Sequence, residues 1–196
     1  MRAMNGPRLL VLMSLVVVLL LGSYGCEDDD LAGIPPLGRA TITLQLVTTL
    51  EPGANQTGWA ELQNVFVDWS EIRLDRQGGD DVVLNPTQSF DLLDHVDTPA
   101  TLFGGPIEVP AGSYRALSWV DASHELVGTG TGQRCQVTIV SGGTRDYVIR
   151  DSQGNPDPLI AEDGGSYTLL IDTVTTRLDC INGWQRDPDQ TEVFKQ

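Results

Sequence analysis

The residues whose types and spacing come closest to a known chemistry lie in one segment, residues 151–162. Oxygen-bearing side chains recur there at positions 1, 3, 5, 7 and 12, which is the ligand spacing of a calcium-binding loop. Pro156 stands where that loop needs a glycine, and Asp, Asn, Gly and Pro are also the common residues of a hairpin loop. Two interpretations stay open, an ordinary turn or a calcium site with four ligands, Asp151, Asn155, Asp157 and Glu162.

Acid–base catalysis would have to use one of only two histidines, His95 and His124. His124 lies in the segment Asp121–Glu125, which contains the residue types for such chemistry. Successive side chains of a strand alternate between faces, so these side chains are not expected all to converge. The chain has no G-x-S-x-G, H-E-x-x-H or P-loop motif and no G-x-G-x-x-G that opens a helix. We therefore predict no catalytic residue.

Four tryptophans could offer flat faces to a sugar ring. Trp69 and Trp119 fall in the apolar phase of strand-like patterns, so we expect them in the core. Trp59 and Trp184 lie near predicted turns, where exposed rings could form a carbohydrate-binding surface. Carbohydrate binding is therefore kept as an alternative function.

Two cysteines late in the chain, Cys135 and Cys180, fall in predicted strands. Two cysteines in an oxidising compartment usually pair, and we predict a disulfide between them. Such a bond would stabilise the fold by about 4 kcal/mol in the chain-entropy model. Two buried free thiols are the alternative, and the absence of a partner histidine motif argues against a metal site.

The third cysteine, Cys26, follows the long apolar run of residues 9–21, which Arg2 and Arg8 precede. The run is shorter than the roughly 20 residues of a membrane span and fits the core of a signal peptide. We predict that residues 1–25 are a signal peptide. Ordinary cleavage near residues 22–25, which would leave Cys26 as a free thiol, is the alternative.

The end of this run resembles the cleavage motif of bacterial lipoproteins. Gly25 before Cys26 matches that motif, whereas Ser23 stands where an aliphatic residue is preferred. The resemblance implies that Cys26 carries a diacylglycerol and an acylated amine, which together anchor a protein stably in a membrane. Glu27 differs from the aspartate associated with inner-membrane retention, which favours the outer membrane.

Composition and charge narrow the possible partners. The net charge is −15, and removal of residues 1–25 would take away two arginines and no acidic residue. This balance argues against nucleic acid, whose phosphates need Lys and Arg, and against lying on anionic lipid. Residues 26–38 are acidic and then rich in Pro and Gly, which predicts an extended tether that reaches up to about 40 Å.

The sequence pattern predicts that the elements that position these residues are β-strands. Apolar side chains alternate with polar ones through residues 39–182, with frequent Gly, Pro, Asn and Asp between them. About eight to ten short strands predict an all-β domain, an antiparallel Greek-key sandwich of immunoglobulin or transthyretin type. A change of phase near Ser70 predicts a β-bulge. Residues 183–196 are assigned to a C-terminal tail.

Four segments carry a wider resemblance: residues 65–74, Ser89–Leu93 with its D-L-L, Val109–Arg115 with its P-A-G-S-Y, and Ser166–Asp172. Together they resemble a family of bacterial lipoproteins with an uncharacterised, transthyretin-like (carboxypeptidase-regulatory-like) β-sandwich domain. The resemblance covers most of residues 39–172. It implies the fold and the cell envelope, and it adds no catalytic residue.

These observations favour a lipid-anchored, non-enzymatic protein of the bacterial cell envelope, with the outer membrane favoured over the inner membrane and with the periplasmic and the external face both left open. Its role would be interaction or structural support, carried by loops at one end of the sandwich. The membrane, through the lipid on Cys26, and an envelope protein or glycan are the expected partners. A small-ligand binder that uses calcium or exposed tryptophans is the alternative, and an envelope hydrolase has no residue support.

Overall fold

A computed structural model describes residues 38–54, 62–128, 133–139 and 145–196. The predicted signal peptide, Cys26 and Trp59 lie outside the described residues, as does the tether except for Gly38. Within the described ranges the chain is a curled, mixed β-sheet without an α-helix, so the prediction of an all-β fold is confirmed. None of the helices in this part of the chain is long and apolar enough to cross a membrane.

The sheet of the described residues has 13 strands. In chain order they are β1 (Arg39–Leu50), β2 (Leu62–Gln77), β3 (Val82–Leu84), β4 (Phe90–Asp91), β5 (Ala100–Thr101), β6 (Ile107–Pro110), β7 (Gly112–Gly128), β8 (Arg134–Thr138), β9 (Tyr147–Arg150), β10 (Leu159–Ala161), β11 (Ser166–Asp179), β12 (Gly183–Arg186) and β13 (Glu192–Lys195). Two short 3-10 helices, Leu92–His95 and Leu102–Gly104, lie between β4 and β6.

The strand order along the main path is β3-β2-β7-β9-β13-β11-β1-β5. The other strands pair beside this path: β4 with β2, β6 with β1, β8 and β10 with β7, and β12 with β11. The sheet therefore has two halves, one around β2 and β7 and one around β1 and β11. The short strand β9 joins them, because it pairs with β7 on one side and with β13 on the other.

The prediction that all strands are antiparallel is wrong. Strand β1 pairs in parallel with β11, from Thr41 opposite Ser166 to Leu50 opposite Thr175, and β9 pairs in parallel with β13. The alternation of apolar and polar residues reports which face of a strand is buried. It carries no information on the direction of the neighbouring strand, and for this reason the sequence pattern did not reveal the parallel pairs.

The segment predicted to be a C-terminal tail is instead part of the sheet. Residues 183–196 contain β12 and β13, and β13 lies between β9 and β11. Trp184 and Val193 are buried in the core. Each strand is only four residues long, which is too short for an alternating pattern to stand out in the sequence.

Strands β2 and β7 pair along most of their length, and four irregularities interrupt their ladder, two of them beside Trp69. The register skips Ser70 on β2, so the predicted bulge is present, and it also skips Ala122 on β7. A bulge shifts the alternation of a strand by one residue. Trp69 and Ile72 are therefore both buried, although three positions separate them.

The core lies between the two halves of the curled sheet and is strongly aromatic at one end. The Trp69 ring stacks on the Trp119 ring with centroids 5.0 Å apart, and Trp119 stacks on Tyr147 at 4.8 Å. Phe90 packs edge-on against Trp69 at 5.2 Å. Trp69 and Trp119 are 2 % and 3 % exposed, which confirms that they belong to the core.

Candidate functional site

The predicted disulfide between Cys135 and Cys180 is present, with the Cα atoms 5.6 Å apart. Cys135 lies in β8, which pairs with β7, and Cys180 lies in the turn between β11 and β12. The bond therefore joins the two halves of the sheet at a place where the described residues form no strand pairing between them. We call this contact between β7–β8 and β11–β12 the seam.

His124 of β7 is the buried centre of the seam, with 1 % of its surface exposed. Its Nδ1 accepts a hydrogen bond of 3.0 Å from the backbone N–H of Trp184 in β12. Because that N–H is a donor, Nδ1 carries no proton, and the neutral ring holds its proton on Nε2. Burial lowers the pKa of His124, and Arg186 lowers it further, whereas Asp121 and Asp68 act in the opposite direction.

An ion pair crosses the seam beside His124. Nη1 of Arg186 in β12 lies 2.7 Å from Oδ2 of Asp121 in β7, and the two side chains are 16 % and 10 % exposed. The guanidinium also lies over the rings of Trp119 and Trp184, 5.0 Å and 5.1 Å from their centroids. The ion pair and the cation–π contact with Trp119 both join β12 to β7, whereas the contact with Trp184 lies within β12.

One oxygen of Asp121 and one nitrogen of His124 have no hydrogen-bond partner among the described residues. These atoms, Asp121 Oδ1 and His124 Nε2, face each other at 4.0 Å. The distance is too long for a direct hydrogen bond. Asp121 therefore holds Arg186 with one oxygen and keeps the other near the imidazole.

The side chains of the segment Asp121–Glu125 do not all converge, as expected, but one pair of them, Asp121 and His124, comes together. Residues three apart on a regular strand face opposite sides, but the bulge at Ala122 puts Asp121 and His124 on the same side. Ser123 faces away and donates to Asp68. The period-two pattern at Ser70 was long enough to show a bulge, whereas the polar segment around Ala122 was not.

The seam also depends on a glycine. Gly183 has φ +70, a left-handed conformation that side chains disfavour, and a Cβ added there would overlap Nδ1 of His124. The preceding turn is fixed by Asp179, whose carboxylate accepts from the backbone N–H groups of Ile181 (2.8 Å) and Asn182 (2.6 Å). Although burial raises the pKa of Asp179, these hydrogen bonds lower it below its usual value. The sequence predicted a turn near Trp184, but the residues that form it, Asp179, Asn182 and Gly183, were not identified.

Trp184 connects the seam to β1. Its Nε1 donates to Oγ1 of Thr175 at 2.8 Å, and Thr175 Oγ1 shares a further hydrogen bond of 2.7 Å with Thr48 Oγ1. Both threonines are fully buried, and Trp184 is only 3 % exposed. The expectation that Trp184 is exposed for sugar stacking is therefore wrong, because its indole nitrogen has a partner inside the core.

Three of the four predicted calcium ligands, Asp151, Asn155 and Asp157, have side chains bonded within the protein. Asp151 Oδ1 accepts from the backbone N–H groups of Gln153 and Asn155, and these bonds, the one from Asn155 above all, lower the pKa of Asp151. Asp157 Oδ2 lies 2.5 Å from Nζ of Lys195. Within the described ranges, no group of three or more His, Cys, Asp and Glu side chains is placed to hold a metal ion. Calcium binding that involves Glu162 stays a prediction.

Two grooves lie on the surface away from the seam. The larger, about 280 Å³, is formed by the start of β1, by β6 and by residues 164–166. The smaller, about 200 Å³, lies between β9 and residues 188–192. The arginines that line them are paired with acids: Arg39 with Glu108, Arg145 with Asp189 and Arg150 with Glu192. Neither groove therefore offers an unpaired arginine to an anionic ligand.

Comparison with known proteins finds no matching family model, no matching curated protein and no matching solved structure. The transthyretin-like resemblance accordingly stays a prediction.

Proposed function

We propose that the protein is a lipid-anchored protein of the bacterial cell envelope with a non-enzymatic role in interaction or structural support. The observation that carries the proposal is the disulfide between Cys135 and Cys180, because such bonds persist in oxidising compartments outside the cytoplasm. The signal-like residues 1–25 and lipidation of Cys26 belong to the same proposal. A Greek-key sandwich, with the two halves of the sheet as its layers, is the proposed form of the domain.

The histidines support a non-enzymatic role. A general base must lie within hydrogen-bond reach of a substrate proton, yet His124 is 1 % exposed and His95 is 3 % exposed. Each ring is bonded to the backbone: Nδ1 of His124 to the N–H of Trp184, and Nδ1 of His95 to the carbonyl of Leu46 at 3.1 Å. Both histidines therefore serve to hold strands and helices together.

The turn of residues 180–182 supports an interaction role. Ile181 at this turn is 80 % exposed, more than the other large apolar side chains that the structure shows at the surface. The disulfide at Cys180 and the hydrogen bonds to Asp179 hold the turn in one conformation. A turn whose backbone is already fixed loses less entropy on binding, so Ile181 is suited to anchor a partner protein.

Lipidation is tested by growing native cells with a clickable palmitate analogue and fractionating them. The wild-type protein is expected to carry the label and to sediment with the outer membrane, and Cys26→Ser is expected to lose both properties. A double variant, Cys135→Ser with Cys180→Ser, controls for labelling at other thiols and should keep the label. A wild-type protein without label, or found in the cytoplasm, would refute the anchor.

The interaction role is tested by placing a photo-crosslinking amino acid at Ile181 in intact cells. The matched control is Ile160 of β10, a second exposed isoleucine, 57 % exposed and on a different strand. A defined envelope protein or glycan captured from position 181 and absent from position 160 is expected. Equal, unspecific adducts at positions 181 and 160 would refute the proposal that the turn of residues 180–182 binds a partner.

A further inference from the structure

We propose that the seam is an acid-sensitive latch, in which protonation of His124 releases β12 from β7 while the disulfide keeps the two halves of the sheet attached. This goes beyond the proposed function, because it assigns a conformational change to the fold. It does not depend on the lipid anchor.

The latch follows from the hydrogen bond between His124 and Trp184. Nδ1 of His124 is the acceptor for the Trp184 N–H at 3.0 Å, so the ring must be neutral for the bond to exist. A second proton would enter at Nδ1 and would point at that N–H. Two donors then face each other inside the core, and the contact between β7 and β12 is lost.

The charged groups around His124 come from three strands. Asp121 lies on its own strand, Arg186 on β12 and Asp68 on β2. Asp121 is already bonded to Arg186, and Asp68 accepts from Ser123. Burial is the largest influence and lowers the pKa of His124, so the neutral, latched state is the one present at neutral pH.

A second partner for the protonated ring is already in place. Asp121 Oδ1 lies 4.0 Å from His124 Nε2 and has no hydrogen-bond partner among the described residues. A small movement of the imidazolium toward this oxygen gives a charge-assisted hydrogen bond. Asp121 would then be shared between His124 and Arg186, which weakens the second contact of β12 with β7. The two states of the ring thus have different partners, as a switch requires.

The segment that the latch releases is short, and the disulfide limits how far it can move. Strand β12 has four residues, Gly183–Arg186, and its own ladder is with β11. Cys180 stays bonded to Cys135 just before it, so the turn cannot leave β8. Loss of the latch therefore loosens Trp184 and Arg186 and gives solvent access to an aromatic surface on β7, that of Trp119.

The test is hydrogen exchange of single backbone amides on the mature chain with its disulfide intact. Exchange is followed by NMR from pH 7.5 to 5.0 and corrected for the intrinsic pH dependence of the reaction. We expect the protection of the Trp184 amide to fall at least tenfold over this range. The amide of Val193 in β13, which is buried but outside the seam, should keep its protection.

Two variants isolate His124. His124→Asn offers an amide oxygen in place of Nδ1 and does not titrate, so protection of Trp184 should become independent of pH. His95→Asn removes the other histidine and should leave the wild-type pH response unchanged. Undiminished protection of Trp184 at pH 5.0 in the wild-type protein, or an unchanged pH response in His124→Asn, would overturn the latch. If His124→Asn does not fold, the His95→Asn protein provides the test, because His124 is then the only histidine of the chain. Titration of the His124 ring without any change in the protection of the Trp184 amide would refute the proposal.

Discussion

Replacing Gly183 with alanine perturbs the seam at one defined point. The residue has φ +70, and an added Cβ would overlap Nδ1 of His124 and lie 3.0 Å from its Cγ. The imidazole is 1 % exposed and has no room to move aside without giving up its bond from Trp184. We therefore expect Gly183→Ala to break that bond as well as to strain the backbone.

The expected cost has two parts. A left-handed conformation costs an alanine about 1–2 kcal/mol. A buried N–H without a partner, here that of Trp184, costs about 1–3 kcal/mol. The free energy of unfolding should fall by about 2–5 kcal/mol, and the Tm should fall by roughly 4–20 °C for a domain of this size.

A second glycine, Gly164, serves as a control that separates the cost of backbone strain from the cost of the lost hydrogen bond. Gly164 has φ +71, and an added Cβ would have no atom within 4 Å, so Gly164→Ala carries the backbone strain alone. Both variants are unfolded in urea and followed by circular dichroism, with equal m-values as the check on two-state behaviour. Gly183→Ala should be the less stable by about 1–3 kcal/mol. Equal losses in the two variants would show that the contact with His124 contributes nothing and would refute the reasoning.

Three further predictions concern the seam. Replacing Cys135 and Cys180 with serine opens a loop with a sequence separation of 45 and should lower the free energy of unfolding, measured in urea, by about 4 kcal/mol. A loss under about 1 kcal/mol would contradict the chain-entropy model. Thr175→Val leaves Nε1 of Trp184 without its buried acceptor and should cost about 1–3 kcal/mol in the same assay, and an unchanged midpoint would count against that hydrogen bond. Because burial lowers the pKa of His124, the contribution of the neutral ring to stability is complete above about pH 6.5 and is lost as the pH falls through the lowered pKa. The Tm should therefore fall between pH 7.5 and 5.0, and the fall should be smaller in His124→Asn.

Part of this fold could be predicted from the sequence because its signals are local. The bulge at Ser70 interrupts a long apolar alternation, so the change of phase is visible in the sequence itself. The pairing of Cys135 with Cys180 followed from elimination, since Cys26 was assigned to lipid. Burial of Trp69 and Trp119 followed from their phase in β2 and β7.

The rest depends on contacts between residues that are distant in sequence. The parallel pairing of β1 with β11 leaves no mark on either strand taken alone, and β12 and β13 are too short to show a period. The seam joins His124 to Trp184 and Asp121 to Arg186, and neither pair shares a motif. Its local signals were the turn residues Asp179, Asn182 and Gly183, and the contact of Gly183 with His124 is apparent only when the position of His124 is known.

The parallel pairing of β1 with β11 has a consequence for the order in which the chain acquires structure. Thr41 and Ser166 are neighbours in the sheet, although 125 positions separate them along the chain. The edge of β1 that pairs with β11 can form its hydrogen bonds only after most of the polypeptide has been synthesised, and contacts between such distant segments form slowly. A nascent chain that stops before Ser166 therefore leaves the β11 edge of β1 unpaired, although β5 and β6 can pair with its other edge. An unpaired strand edge is the kind of surface that chaperones hold and that aggregates when they do not.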